Sequence, residues 1–487
     1  MQTAIVAAVA GRPLITARRR VAAAFAVAAA ALSLAAAFPL AAGAAESPGW
    51  TTWGNSPVRQ SRASASLLTT KNGDRLRLAW SRPIGGAGAA QPLYLRRVLV
   101  TGKRRDIYVT ASEEGRVSAF DARTGKVLWV RDVGSVSTGC LQMPKGIFGV
   151  TGTPVYDPAS GFVYLAVADR LWAIDVHTGV ARTGWPVALP MDQYHEHVWG
   201  AIALGNGHVY FGIASYCDRR PYTGRVLAVS TKSGEVDHSW TSVNTATGDP
   251  GGGGIWGWGG VAITSDGHIW AAVANANIAQ GQDESLDHAE SVVELNSALG
   301  LLRASHAPGM PIKGDFGFGS TPVVFKSTRC GAMVAAEGKD GAIYLWKRPT
   351  LTAGPVQRLE LAFPATLYGS PAWDPRTQQL FVTTSQGYAG VGSGLDALAV
   401  TAKCRLRVAW TKGLGGQLNA IPTVANDTVV VATGTGHLRV YAAATGKLIA
   451  NRELRGAAFA APIAIGRDVA VVTWTRKLMV FRLPPPK

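Results

Sequence analysis

The stretch DARTGKVLW at residues 121–129 carries a phrase that recurs along this chain and decides its fold. The phrase returns as DVHTG at 175–179, TKSGE at 231–235 and ATGKL at 444–448, and weaker copies end in Trp80 and Trp410. The Thr/Ser-Gly pairs that begin at positions 124, 178 and 233 lie 54 and 55 residues apart. A repeat of this length predicts one supersecondary unit per copy.

Units of this length with alternating apolar residues are typical of a β-propeller, in which each blade is a sheet of about four strands. One blade cannot bury both of its faces, so several must stack around an axis. Eight apolar runs fit central strands, starting near Ile107, Phe162, His208, His268, Val334, Leu380, Val429 and Val469. The sequence therefore predicts an all-β, eight-bladed β-propeller in a single domain, residues 46–487, with seven blades as the alternative count.

The last repeat is incomplete in sequence. Residues 477–483 alternate like a strand, but no Thr-Gly phrase follows them. We therefore expect a strand from between Trp50 and Leu78 to complete the last blade, because closure removes free sheet edges. Within each repeat we expect the Asp to accept backbone N–H bonds in the turn and the Gly to adopt a positive φ. The Trp should wedge between sheets, with its indole N–H bonded to an acceptor.

Residues 1–45 differ in composition from the rest of the chain. Arg18, Arg19 and Arg20 precede an Ala-rich apolar run that ends in small residues, Ala42-Gly43-Ala44. A basic start, an apolar middle and small residues before the cleavage point predict a signal peptide. The alternative is an uncleaved membrane anchor. We expect an exported protein, in the periplasm or outside the cell, without a stable membrane span after cleavage.

Four cysteines follow this leader: Cys140, Cys217, Cys330 and Cys404. An even count in an exported chain favours two disulfides, although four cysteines allow three pairings. No Cys-x-x-Cys spacing supports a zinc site, a thiol redox site or covalent haem. We expect the pairs Cys140–Cys217 and Cys330–Cys404, which would join neighbouring blades.

The net charge of +17 includes four arginines of the leader, and the remainder of the chain is still basic. The basic residues are spread, except for one dense insert at 96–97 and 103–105. Without interleaved stacking aromatics, basic residues are usually a solvated face, so we expect no nucleic-acid partner. The basic balance leaves binding of polysaccharide or of the cell envelope as a weaker possibility.

The repeat at 119–129 resembles that of the pyrroloquinoline quinone (PQQ) propeller superfamily, found in quinoprotein alcohol dehydrogenases and in non-enzymatic relatives. This similarity covers nearly all of residues 50–483. It implies a propeller fold, but the same fold serves catalysts and assembly scaffolds alike.

Local segments also resemble the quinoprotein site. By that resemblance Trp256 would stack on the quinone, Asn275 would be a calcium ligand, Asp315 would be the catalytic base and Lys339 would contact the quinone oxygens. An aromatic face, hard oxygen ligands and a carboxylate base form a coherent set for such chemistry.

The same comparison shows departures from the quinoprotein pattern. The dehydrogenases typically carry two adjacent cysteines above the quinone, whereas Cys140 stands alone in its segment. Where their calcium-binding Glu is expected, only Asp218 could substitute, and Ala274 replaces the Gly before the ligand Asn. No haem motif is present.

These observations favour a binding or assembly scaffold, with an envelope protein or a small molecule as partner and no working quinone site. The alternative is a periplasmic PQQ- and Ca²⁺-dependent alcohol or sugar dehydrogenase. His195 and His197 could share one strand face as metal ligands, but no further ligand is indicated, so a polar loop is the preferred interpretation. We expect a monomer.

Overall fold

The computed structural model describes residues 49–244, 251–276, 286–310, 315–361, 369–385, 393–416, 418 and 420–485. The predicted signal peptide at 1–45 lies outside these residues and stays a prediction. Among the described residues, no helix is both long enough and apolar enough to cross a bilayer.

The described part of the chain forms eight antiparallel, four-stranded units, numbered here as blades 1 to 8. All eight predicted central strands are confirmed as the second strand of a blade. From the axis outwards, the strands of the first three blades are, in blade 1, Leu93–Val100, Lys103–Ala111, Arg116–Asp121 and Val127–Asp132; in blade 2, Val155–Asp157, Phe162–Val167, Arg170–Asp175 and Val187–Ala188; and in blade 3, Ala203–Gly205, His208–Ser215, Arg225–Ser230 and Val236–Thr241. The strands of the next three are, in blade 4, Ala262–Ile263, Ile269–Ala272, Ser291–Leu295 and Leu301–His306; in blade 5, Val323–Ser327, Gly331–Glu337, Ala342–Lys347 and Gln357–Glu360; and in blade 6, Ala372–Asp374, Gln379–Thr384, Gly394–Val400 and Leu406–Gly413. The strands of the last two are, in blade 7, Thr423–Ala425, Thr428–Ala432, His437–Ala442 and Leu448–Glu453; and in blade 8, Ile463–Ile465, Asp468–Val472, Lys477–Arg482 and Arg77–Pro83.

Short elements complete the described structure. Two-residue strands lie at Gly49–Trp50, Arg62–Ala63, Val136–Ser137, Ile147–Phe148, Glu196–His197, Tyr222–Thr223 and Gly251–Gly252. Short 3-10 helices lie at Trp53–Asn55, Gly73–Arg75, Pro144–Gly146 and Arg348–Ala353.

The ring is closed by the strand Arg77–Pro83, which pairs antiparallel with Lys477–Arg482 and forms the outer edge of blade 8. This confirms the predicted closure, with the strand a few residues later than the sequence alone placed it. Apolar clusters of buried side chains then connect every blade to the next, including blade 8 to blade 1. The core is thus a circle of interfaces between blades.

The repeat phrase builds these interfaces. Asp121 Oδ1 accepts hydrogen bonds from the backbone N–H of Thr124 (3.0 Å) and from its hydroxyl (2.9 Å), as the turn chemistry predicts. Trp129 of blade 1 donates its indole N–H to the carbonyl of Val176 in blade 2 at 2.8 Å. Gly179, at φ +73°, lies so close that an added Cβ would meet the Trp129 ring at 2.8 Å. The pairs Trp80–Ala122 (3.1 Å) and Trp410–Ala443 (2.9 Å) repeat this hydrogen bond.

Residues 49–66 form a segment that we call the axial strap, because it contacts the inner part of each blade around the axis. It begins by pairing Gly49–Trp50 with blade 1 and ends at a bridge between Ser66 and Gly466 of blade 8. Between these ends, its backbone and side chains bond to residues of blades 2 to 7 near the axis: Tyr156, Ile202, Ile263, Val324, Trp373 and Val424. One short segment therefore connects all eight blades.

Arg59 anchors the centre of the strap. Its guanidinium is fully buried and donates to the carbonyls of Val261 (2.9 Å) and Ile202 (3.3 Å) and to the Thr52 hydroxyl (2.8 Å). Burial lowers the pKa of Arg59 to about 9, so the group remains charged at neutral pH. The hydrogen bonds compensate for the solvation that the buried charge has lost.

Both predicted disulfides are present. Cys330–Cys404 joins a turn of blade 5 to a turn of blade 6. Cys140–Cys217 joins the connection between blades 1 and 2 to a loop of blade 3, so it crosses one blade more than predicted.

Candidate axial site

A cavity of about 580 Å³ opens at the end of the ring where the inner strands begin. Its volume falls in the range of small-molecule sites. Trp199, Trp258 and Ile421 reach it because they lie just before the inner strands of blades 3, 4 and 7. Trp53 of the axial strap packs against Ile421 and Trp258. The strap thus supports the cavity wall from inside the ring.

Aromatic rings form much of the lining, contributed by Trp199, Trp256, Trp258, Phe459 and Trp474. The ring centroids of Trp199 and Trp256 are 5.7 Å apart, and those of Trp199 and Trp258 are 6.0 Å apart. Trp199 is fixed by a hydrogen bond from its indole N–H to the Ser215 carbonyl. The buried Nε1 of Trp256 has no hydrogen-bond partner among the described residues. This wall therefore offers flat apolar faces to a ligand.

Three charged side chains lie on the same lining: Asp218, Asp315 and Lys339. The Lys339 ammonium is bonded to the Asp315 carboxylate and lies 5.9 Å from the centroid of the Trp256 ring. Burial raises the pKa of Asp315, while the charge and hydrogen bond of Lys339 counteract that rise. Asp315 has φ +60°, an uncommon conformation for a residue with a side chain.

Asp218 lies beside the Cys140–Cys217 disulfide. Its Oδ1 accepts the phenolic hydrogen of Tyr222 at 2.7 Å. The residues that follow Cys140, from Leu141 to Pro144, form part of the cavity lining. The disulfide therefore ties this loop to the loop that carries Asp218.

The structure brings together four of the five predicted site residues, namely Trp256, Asp218, Asp315 and Lys339. Asn275 is not part of the cavity lining. Its backbone carbonyl accepts a hydrogen bond from Gly253 at 2.9 Å, and its backbone nitrogen lies against Gly317.

The described lining fits an uncharged ring better than it fits a negatively charged quinone with calcium. Calcium takes six to eight oxygen ligands. Asp218 already accepts from Tyr222, Asp315 is paired with Lys339, and Asn275 lies outside the lining. In the described part of the chain, no group of three or more His, Cys, Asp and Glu side chains is placed to hold a metal ion. With two carboxylates and one ammonium, the lining also lacks the positive charge that a tricarboxylate quinone requires.

The histidine pair does not form a metal site. His195 is bonded to Asp192 at 2.6 Å near the surface, whereas His197 is buried and bonded to the Thr151 hydroxyl at 2.8 Å. Thr151 donates in turn to Glu113 at 2.9 Å. Burial lowers the pKa of His197 to about 3 and raises the pKa of Glu113 to about 8. Both groups are therefore uncharged near neutral pH.

Sequence reasoning missed Trp199, Trp258, Phe459 and Trp474 as lining residues. A signal for three of them exists, because WGAIA at 199–203, WGGVA at 258–262 and FAAPI at 459–463 each place an aromatic residue four positions before the start of an inner strand. No such pattern marks Trp474, which lies between the second and third strands of blade 8.

Comparisons with known proteins agree with this architecture. The sequence profile of one family, PQQ_2, described as outer membrane protein assembly factor BamB, matches residues 58–272 and 405–482, together more than half of the chain. No curated protein matches the chain at a significant level.

Solved structures match over most of the chain at low identity. The quinohemoprotein alcohol dehydrogenase from Comamonas testosteroni is 17% identical with a TM-score of 0.71, covering 91% of this chain and 83% of its own. A europium-containing methanol dehydrogenase is 15% identical with a TM-score of 0.71, covering 90% and 99%. BamB from Moraxella catarrhalis is 13% identical with a TM-score of 0.56, covering 85% and 99%. At these identities the likeness concerns the fold.

Proposed function

Because the chain belongs to the PQQ_2 family, described as outer membrane protein assembly factor BamB, we propose that it is an exported propeller that works as a binding scaffold. Its axial cavity would hold a small uncharged ligand that contains a ring, without quinone turnover. Export is supported by the two disulfides, since these form in oxidising compartments.

One observation carries this proposal: aromatic faces line the cavity beside a Lys339–Asp315 pair that already satisfies its own charge. Flat rings can stack on Trp256 and its neighbours, and polar ligand atoms can reach Asp218, which is exposed. In the part of the chain that the structure describes, no group of three or more His, Cys, Asp and Glu side chains is placed to hold a metal ion, which supports a function without quinone turnover. The propeller body would then offer a rigid surface to which an envelope protein binds, as other members of this fold do in assembly.

The alternative is a PQQ- and Ca²⁺-dependent alcohol or sugar dehydrogenase. It has one observation in its favour, namely that Trp256, Asp315 and Lys339 line the same cavity. This is the combination that the resemblance to quinoprotein dehydrogenases implies.

A quinone titration separates the two functions. Purified protein is titrated with PQQ in the presence and absence of Ca²⁺, and dye reduction with short alcohols and sugars is followed. We expect no substrate-dependent dye reduction, because the described lining residues include two carboxylates against one ammonium and no set of calcium ligands. Stoichiometric PQQ uptake with turnover, abolished in Asp315→Asn, would establish the dehydrogenase and overturn the scaffold.

The binding function has its own readout. Tryptophan fluorescence is followed during titration with uncharged sugar probes, N-acetylglucosamine and its tetramer. We expect a saturable change that is lost in Trp256→Leu and kept in Trp172→Leu, a matched substitution in an outer strand of blade 2. A saturable change that Trp256→Leu leaves intact, or the lack of any change, would contradict the assignment of this cavity.

A further inference from the structure

A second concave site lies at the seam between blades 8 and 1, at the other end of the inner strands from the axial cavity. It is a groove of about 490 Å³ lined by turns that follow the inner strands, whereas the axial cavity is lined by residues that precede them. The groove therefore opens on the opposite face of the ring.

The groove is strongly basic. Six cationic side chains line it, against three carboxylates. The cations are Lys103, Arg104, Arg105, Arg123, Arg467 and Arg482. A concave surface of one predominant charge concentrates ions of the opposite sign.

All three carboxylates of the groove are already engaged. Asp121 pairs with Arg105 at 2.9 Å, and Asp468 pairs with Arg482 at 2.6 Å. Asp106 accepts from the Tyr94 hydroxyl at 2.7 Å and from the Arg97 backbone at 2.9 Å. Two arginines are thus neutralised inside the protein.

Four cations remain, namely Lys103, Arg104, Arg123 and Arg467. None of them forms an ion pair with a described residue, and Lys103, Arg104 and Arg123 are exposed. Arg104 uses one of its donors for the Arg97 carbonyl at 3.2 Å, and Asp106 is bonded to a hydroxyl and a backbone N–H rather than to a cation. The groove therefore keeps an excess of positive charge, with four cations that are not paired to a carboxylate among the described residues.

An extended hairpin of blade 1 creates this arrangement. Its strands Leu93–Val100 and Lys103–Ala111 have eight and nine residues, whereas the inner strands of blades 2 and 3 have three. The extra length carries Lys103 and Arg104 past the end of the third strand, whose last residue Asp121 pairs with Ile107, and both line the groove with Arg467 of blade 8. The dense basic insert of the sequence is therefore part of a built groove.

We propose that this groove binds a polyanion that bears phosphate groups. Guanidinium groups recognise phosphate oxygens in a bidentate manner, and three of the four available cations are arginines. Several cations along one groove fit a chain of phosphates better than a single ion. This site is independent of the axial cavity and of its proposed ligand.

The lining favours a polyphosphate chain over a nucleic acid. Single-stranded nucleic acids are held by stacking of bases on aromatic side chains. Among the lining residues, Tyr94 is the one aromatic, and its hydroxyl is bonded to Asp106.

Binding of linear inorganic polyphosphate to the full chain tests the proposal. The groove variant Arg104→Gln/Arg123→Gln/Arg467→Gln is compared with Lys403→Gln/Arg405→Gln/Arg407→Gln, which removes three exposed cations from blade 6. At about 50 mM salt, where exposed charges are least screened, we expect the groove variant to weaken binding at least about tenfold. The blade 6 variant should stay within about twofold of the parent.

Three further probes decide the ligand class: polyglutamate of equal charge, a single-stranded oligonucleotide and anionic phospholipid vesicles. Equal weakening in both variants, or tighter binding of any of these probes than of polyphosphate, would overturn the proposal. Thermal melting checks that the variants fold, and Lys103→Gln/Arg104→Gln replaces the triple variant if it does not.

Discussion

At the scale of single residues, the contact between a Trp of one blade and a Gly of the next explains why the repeat phrase recurs. The indole of Trp129 lies on Gly179 and donates to Val176, so both the ring and the N–H are used. Any side chain at position 179 would occupy the space of the ring. The Gly therefore satisfies two requirements, a positive φ and a close approach.

Two alanine substitutions in blade 2 separate these requirements. Gly184 has φ +80° with nothing near its missing side chain, whereas Gly179 has φ +73° with Trp129 against it. We expect Gly184→Ala to lower the free energy of unfolding by about 1 kcal/mol, the cost of a left-handed residue. Gly179→Ala should cost about 3 kcal/mol, because the ring must also move. Urea unfolding measures both, and equal losses would contradict the docking role.

At the scale of elements, the axial strap and the strand Arg77–Pro83 connect the beginning of the domain to its end. The strand supplies the outer edge of blade 8, and the strap bonds to the inner part of every blade. The strap lies along the inner edges of the sheets, whereas the strand Arg77–Pro83 forms the outer edge of blade 8. The strap also supports the axial cavity through Trp53, so stability of the ring and shape of the cavity depend on the same segment.

A substitution of Arg59 tests how much the axial strap contributes to the free energy of unfolding. Replacing it by methionine removes a buried charge together with its hydrogen bonds and leaves the carbonyls of Val261 and Ile202 unsatisfied. We expect Arg59→Met to lower the free energy of unfolding by about 3 kcal/mol. Arg62→Met, at an exposed position of the same strap, should cost less than about 0.5 kcal/mol. Comparable losses in the two variants, measured by chemical unfolding, would refute the anchoring role.

At the scale of the whole molecule, the ring buries titratable groups near its axis, and these couple stability to pH. Burial raises the pKa values of Glu113 and Glu337 to about 8, so the folded state keeps protons that the unfolded state releases above its ordinary glutamate pKa. Their contribution to stability is complete at low pH and is lost as the pH rises towards 8. His197, with its pKa lowered to about 3, acts in the other direction, and its contribution is lost as the pH falls below its ordinary pKa.

Glu113→Gln should therefore flatten the pH dependence. Between about pH 5 and pH 8 we expect the free energy of unfolding of the parent to fall by roughly 3 kcal/mol more than that of the variant. Glu235→Gln, in an exposed turn, serves as the control and should follow the parent. Denaturant unfolding at a series of pH values measures the difference, and parallel curves for Glu113→Gln and the parent would contradict the prediction.

The repeat, the eight central strands, the Trp between neighbouring sheets with its bonded N–H, the positive φ of the Gly and both disulfide pairs could be predicted from the amino-acid sequence. These features are readable because they depend on local periodicity, turn chemistry and spacing between consecutive blades. Four predicted residues also meet in one cavity, although they come from two kinds of position: Trp256 and Asp315 precede inner strands, whereas Asp218 and Lys339 lie between the second and third strands of blades 3 and 5.

Which side chains meet at the axis and between blades 8 and 1 follows from the closed ring and could not be predicted from the repeat. Arg59 bonds to a residue 202 positions away, and Arg467 lines a groove with Lys103 from the other end of the domain. Neither periodicity nor composition encodes such pairs, because closure of the ring brings them together. Asn275 likewise matched a motif yet lies outside the cavity lining, and its backbone is held by contacts with Gly317 and Gly253, which the motif does not encode.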